Sequence, residues 1–138
     1  MSNYPLRLHH VGVVVQDLRA SRDWYRKFLG FEHEYDFVLP GAQLTMIVRG
    51  DARLELIEAE GAAPMSAERQ APETLLQIRG INHLALVVED LDGTVSALSG
   101  MGVEIAIPPS EVPNGSGDRF AFIHDNERML VELFQPAD

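Results

Sequence analysis

At 138 residues the chain is long enough for one compact domain or for two small modules sharing a core. A formal charge of −10 argues against nucleic acid, which is held mainly by Lys and Arg on phosphates. The absence of cysteine rules out disulfides and leaves nitrogen and oxygen donors for any metal.

The opening MSNYPLRLHH has neither the basic stretch nor the apolar run of a signal peptide, so the expected location is the cytoplasm. No apolar run approaches the ~18 residues that a membrane-spanning helix needs. Val11 to Val15, four valines around Gly12, reads as a strand. Strand alternation puts His10, Gly12 and Val14 on one face and Val11, Val13 and Val15 on the other. Asp17 is placed to cap a helix whose apolar positions are Leu18, Trp24, Tyr25, Phe28 and Leu29, ending at Gly30. Trp24 and Tyr25 are expected in the core. Phe31–Leu39 and Gln43–Val48 read as strands joined at Pro40-Gly41, and Arg53–Glu58 as a third strand after Gly50-Asp51. In the third strand Arg53, Glu55 and Ile57 share one face, and Leu54, Leu56 and Glu58 the other.

Residues 59–80 break the pattern with Gly61, Pro64 and Pro72. They read as a linker crossing from one module to the next, with a short helix near Ser66–Gln70. Ile81–Val88 then repeats the first strand, and Asp90 or Asp92 caps a helix holding Val95, Leu98 and Met101, closed by Gly100 and Gly102. Val103–Ile107 is expected to be a strand stopped by Pro108-Pro109. Arg119–His124 and Met129–Phe134 form a hairpin across Asp125-Asn126, preceded by the turn Asn114-Gly115-Ser116-Gly117.

The chain therefore says one phrase twice. A shift of 73 positions pairs His10 with His83, Asp17 with Asp90 and Leu18 with Leu91. Glu55 follows His10 by 45 residues, and Glu132 follows His83 by 49. The two residues beyond the histidines, Gly12 and Ala85, are both small. A glutamate in an apolar strand is costly to desolvate unless it is paired or bound to a cation. Two of them, each matched by a histidine, point to one shared divalent ion, and Ni²⁺, Co²⁺, Zn²⁺, Mn²⁺ or Fe²⁺ all suit imidazole and carboxylate donors. His9 should face away from His10. His33 and His124, at strand ends, are expected on the surface, and Arg119, at the start of its strand, is expected to meet an anionic group of a substrate.

LHHVGVVVQDL with SRDWYRKFLGFE, INHLALVVEDLD and DNERMLVELFQ resemble the two strand–helix openings and the closing hairpin of the vicinal oxygen chelate superfamily. That superfamily includes glyoxalase I, methylmalonyl-CoA epimerase, extradiol dioxygenases and the fosfomycin and bleomycin resistance proteins. The resemblance covers nearly the whole chain. It implies an α+β fold of two βαβββ modules, residues 1–58 and 81–138, with curled mixed sheets forming a cup and helices outside. It also implies that His10, Glu55, His83 and Glu132 are the metal ligands. A carboxylate at position 55 is similar to glyoxalase I and the epimerases and implies proton transfer next to a carbonyl through a metal-stabilised enediolate. Glu132 is then the expected base, with Glu55 second. The expected partners are a small carbonyl or thioester substrate and a second copy of the chain, with no nucleic acid and no membrane. The alternatives are an Fe²⁺ extradiol-type dioxygenase and a metal-free drug-sequestering resistance protein. The first module lacks a glutathione-binding basic set, and Asn82 precedes His83 where epimerases tend to show paired histidines. Glu34 or Asp36 is a candidate second acid–base group for an epimerase.

Overall fold

The computed structural model describes residues 3–138, so Met1 and Ser2 of the N-terminal stretch lie outside the described residues. The chain divides into two compact units, Met1–Ala62 and Ala63–Asp138. Each is a four-stranded mixed sheet with one α-helix, an α+β arrangement. No helix among the described residues is long and apolar enough to cross a membrane.

The first unit runs β1 (Val11–Val14), α1 (Leu18–Leu29), β2 (Glu32–Leu39), β3 (Ala42–Arg49) and β4 (Ala52–Ala59). Its sheet order is β1-β4-β3-β2, with β1 parallel to β4 and the other pairs antiparallel. Helix α1 forms where Asp17 Oδ1 accepts from the Ala20 amide at 3.0 Å, which satisfies one of the unpaired donors of the first turn. It stops at Gly30, whose φ of 70° is open to glycine at little steric cost. Ser21, Tyr25 and Leu29 lie four residues apart and form the buried stripe of the helix. On the sheet, Thr45, Ile47, Leu54 and Leu56 are buried on the face that carries no glutamate ligand candidate. Tyr25 is fully buried, its ring edge-to-face with Phe31 at 5.8 Å, whereas Trp24 is only half-buried.

The second unit runs β5 (Leu84–Val87), α2 (Leu91–Gly100), β6 (Ile105–Glu111), β7 (Arg119–His124) and β8 (Leu130–Gln135), in the order β5-β8-β7-β6. Again the first strand is parallel to the last and the rest are antiparallel. Asp90, not Asp92, is the cap of α2, accepting from the Gly93 amide at 3.0 Å. The choice of glycine there is local: a Cβ at position 93 would run into the Asp90 carboxylate. A second cap is duplicated too. Glu58 Oε1 accepts from the Leu18 amide at 2.9 Å, and Gln135 Oε1 from the Leu91 amide at 2.7 Å. Each comes from the last strand of its module, three residues beyond Glu55 or Glu132, and ties the helix start to the sheet.

Two expectations change. Strand β6 does not stop at Pro108-Pro109 but continues to Glu111, with its pairing to β7 shifted between Ile107 and Ser110. Proline is tolerated there because β6 is an edge strand, so a missing amide donor costs no ladder bond. The stretch read as a linker belongs, from Ala63 onward, to the second unit. It holds two 3₁₀ turns, Ala67–Gln70 and Leu75–Gln77. Leu75 is buried in a cluster with Phe122 and Leu130. Arg69 donates to the carbonyls of Ile81 and Arg79 at 2.7 and 2.9 Å, closing this segment on itself.

Candidate metal centre

Strand register brings a histidine toward a glutamate within each unit. In the first unit Gly12 of β1 and Met46 of β3 flank Glu55 of β4. His10, two residues before Gly12, lies just outside the strand with its Nε2 3.9 Å from Glu55 Oε2. Gly12 lies against the carboxylate, and a Cβ there would meet Glu55 Oε1 at 3.6 Å, an ordinary contact. In the second unit Ala85 of β5 and Phe122 of β7 flank Glu132 of β8. His83, also just before its strand, places Nε2 2.6 Å from Glu132 Oε2. Its ring stands edge-to-face against Phe122 at 4.9 Å. Both carboxylates are mostly shielded, at 18% exposure for Glu55 and 14% for Glu132.

The residue before each histidine also repeats. His9 Nδ1 is 2.8 Å from His10 Nδ1, and Asn82 Oδ1 is 2.7 Å from His83 Nδ1. His9 thus faces its neighbour's ring rather than away from it, because it lies in an irregular extended segment ahead of β1, where strand alternation does not govern direction.

The structure brings His10 to Glu55 and His83 to Glu132. Within neither unit, among the described residues, do three or more metal-ligating side chains gather. The donor chemistry nonetheless fits a divalent cation. In each pair an imidazole nitrogen approaches a carboxylate oxygen, and at the 2.6 Å of His83 and Glu132 the two call for a proton or a cation between them.

The chain matches a known family over most of its length. The family model for the Glyoxalase/Bleomycin resistance protein/Dioxygenase superfamily matches residues 7–133. The chain belongs to this superfamily. Among curated proteins it is similar to YwkD of Bacillus subtilis (strain 168), an uncharacterized protein, at 28% identity over 131 residues, covering 93% of this chain and 95% of the relative. It is 26% identical over 134 residues to the mitochondrial methylmalonyl-CoA epimerase of Bos taurus, covering 94% of this chain and 74% of that one. Among solved structures, a glyoxalase family protein from Enterococcus faecalis superposes with a TM-score of 0.74 at 25% identity, over 93% of this chain and 96% of that chain.

Other candidate residues of this superfamily member are differently employed. Arg119 does not lie on the Glu132 face. It is three residues from Phe122, an odd step along β7, and therefore points to the helix side. There it makes a two-pronged ion pair with Asp92 of α2, both contacts at 2.9 Å. That hydrogen-bonded pairing holds the Asp92 carboxyl below its ordinary range and raises the Arg119 guanidinium. The expected substrate contact had the wrong parity. His124, contacted by Gln70 of the preceding 3₁₀ turn, is buried rather than on the surface. Its Nε2 lies 2.7 Å from the Gln70 carbonyl, to which it donates, and its Nδ1 is 3.4 Å from Glu104. His33 is exposed and pairs with Asp36 at 2.8 Å. The Thr45 hydroxyl, first, and His33 lower the Asp36 pKa, which makes Asp36 a weak base. Glu34 is ion-paired with Arg53 at 3.0 Å.

Proposed function

We propose that the protein is a divalent-metal-dependent isomerase or lyase that moves a proton next to a carbonyl, of the glyoxalase I or epimerase type. The observation that carries this reading is the duplicated histidine–glutamate pair, with a carboxylate at position 55 as well as at 132. His10, Glu55, His83 and Glu132 are the proposed ligands, the second pair coming from the same chain or from a second copy in a homodimer. When bound, such a cation polarises the carbonyl and lowers the cost of the negative charge left as the neighbouring proton departs.

The chain's own residues then divide the work. His83 and Glu132, already in contact, form the tighter half and hold position. Glu55 is held more loosely, its Oε2 3.9 Å from His10 Nε2 where Glu132 is 2.6 Å from His83. A carboxylate that shuttles a proton needs freedom to turn toward the substrate. The geometry therefore favours Glu55 over Glu132 as the base, the reverse of the order expected from the sequence. Apolar neighbours on the two glutamate faces, including Met46, Ile57 and Phe122, limit water around the pair.

The test is a panel of thioesters and hemithioacetals assayed with Ni²⁺, Co²⁺, Zn²⁺ or Mn²⁺, with exchange of the substrate's α-hydrogen followed in deuterated water. Metal-dependent exchange that collapses in Glu55→Gln supports the reading. Oxygen consumption with catechols instead would identify a dioxygenase. Tight binding of a hydrophobic antibiotic by a protein that takes up no metal would identify a sequestering protein.

A further inference from the structure

Asn82 stands in a chain of contacts that starts in the segment ahead of β5 and ends at a proposed ligand. Its Nδ2 donates to the Leu75 carbonyl at 2.9 Å, while its Oδ1 is 2.7 Å from His83 Nδ1. The direction of this amide follows from its partner. A backbone carbonyl only accepts, so the amino group must face Leu75 and the oxygen must face the imidazole. An amide oxygen also only accepts. His83 Nδ1 must therefore carry a hydrogen and donate it, which leaves Nε2, 2.6 Å from Glu132, as the nitrogen that meets a cation.

Leu75 is no loose anchor, being buried in the cluster with Phe122 and Leu130. The same Phe122 packs edge-on against the His83 ring. Ring plane and protonated nitrogen are thus both set from one hydrophobic cluster. We infer that Asn82 is a positioning residue: it holds the His83 imidazole with Nδ1 protonated and Nε2 turned to Glu132, so that this half of the site is formed before any metal arrives. The inference rests on the proposed metal-dependent reading for its function, but not for its geometry. His9, the equivalent residue in the first module, contacts His10 through a ring nitrogen that either donates or accepts. It imposes no such choice.

Two measurements on the full chain test this. In the metal-free protein, long-range ¹⁵N–¹H correlation spectra of labelled histidines should show a hydrogen-bonded proton on His83 Nδ1. A spectrum with Nδ1 unprotonated overturns the inference, and this needs no variant. The second measurement is Zn²⁺ affinity by competition with a chromophoric chelator. Asn82→Leu should weaken Zn²⁺ binding by about 10- to 100-fold, as loss of a partner that orients a ligand histidine does. Asn82→Asp, which keeps an acceptor for Nδ1 but loses the donor to Leu75, should recover only part of the loss. Unchanged affinity in Asn82→Leu overturns the inference. A parent protein that binds no Zn²⁺ but shows the protonated, hydrogen-bonded Nδ1 would refute the proposed function while upholding the role of Asn82.

Discussion

The two modules share strand order, helix caps and histidine–glutamate register, yet one pair is in contact at 2.6 Å and the other stands at 3.9 Å. Strand register does not explain the difference, because Gly12 lies opposite Glu55 as Ala85 lies opposite Glu132. What differs is the chain just before each histidine. Ahead of His83, Leu75 is sunk in a hydrophobic cluster, and its carbonyl anchors Asn82. Ahead of His10, Tyr4, Leu6 and Leu8 are exposed at 66%, 80% and 83%. A repeated scaffold thus brings equivalent donors close, while non-repeated flanking sequence sets how firmly each is held.

The largest effects should be alike in the two halves, since they come from the shared scaffold. Leu56 and Leu133 lie opposite Val13 and Leu86 at matching register and are fully buried. Leu56→Ala and Leu133→Ala should each cost about 2–5 kcal/mol in urea denaturation, from lost burial plus the cavity left behind. A cost under ~1 kcal/mol at one site only would show that the two cores are not equivalent.

The caps come next. Asp17→Ala and Asp90→Ala should each cost about 0.5–2 kcal/mol, since each leaves a helix-start amide without its partner. Glu58→Ala and Gln135→Ala remove the strand-to-helix caps and should each fall near 1 kcal/mol. Equal losses in the two modules uphold the duplicated design, and a loss in one alone breaks it.

The smallest effect is a pH dependence with the same sign in both halves. Asp36, beside Thr45 and paired with His33, and Asp92, bonded by Arg119, both have folded pKa values below the ordinary 3.8. Each carboxylate therefore adds stability that is fully present above that value and is lost as pH falls through the folded pKa. Both pairs are exposed, so the contribution is small. In urea melts from pH 6 to pH 3, the parent's advantage over Asp36→Asn and Asp92→Asn should shrink only below about pH 4. An advantage that grows on acidification would reverse the sign.

Much of the fold was legible because it depends on local chemistry said twice. Valine runs, aspartate caps and turn pairs such as Pro40-Gly41 carry their structural meaning in a few residues. The proximity of each histidine to its glutamate was legible for the same reason: repetition singles out one carboxylate in an otherwise apolar strand of each module. What escaped sequence reasoning was set by tertiary context. Pro108-Pro109 stays in a strand because that strand is an edge, which local sequence does not announce. His124 is buried, and its Nε2 donates to the carbonyl of Gln70, 54 residues earlier in the chain. Arg119 was assigned to the wrong face, although counting three residues back from Phe122, itself opposite Glu132, settles the parity. Asn82 and Gln135 gave no motif at all, and only their equivalence to His9 and Glu58 across the repeat marks them.

Metal stoichiometry and affinity, measured on the metal-free chain titrated with Co²⁺ or Zn²⁺, bear most directly on the shared-cation reading. One ion per chain, with affinity lowered in each of His10→Ala, Glu55→Gln, His83→Ala and Glu132→Gln, is the predicted result. No uptake by the parent, or Glu55→Gln binding as tightly as the parent, would contradict it.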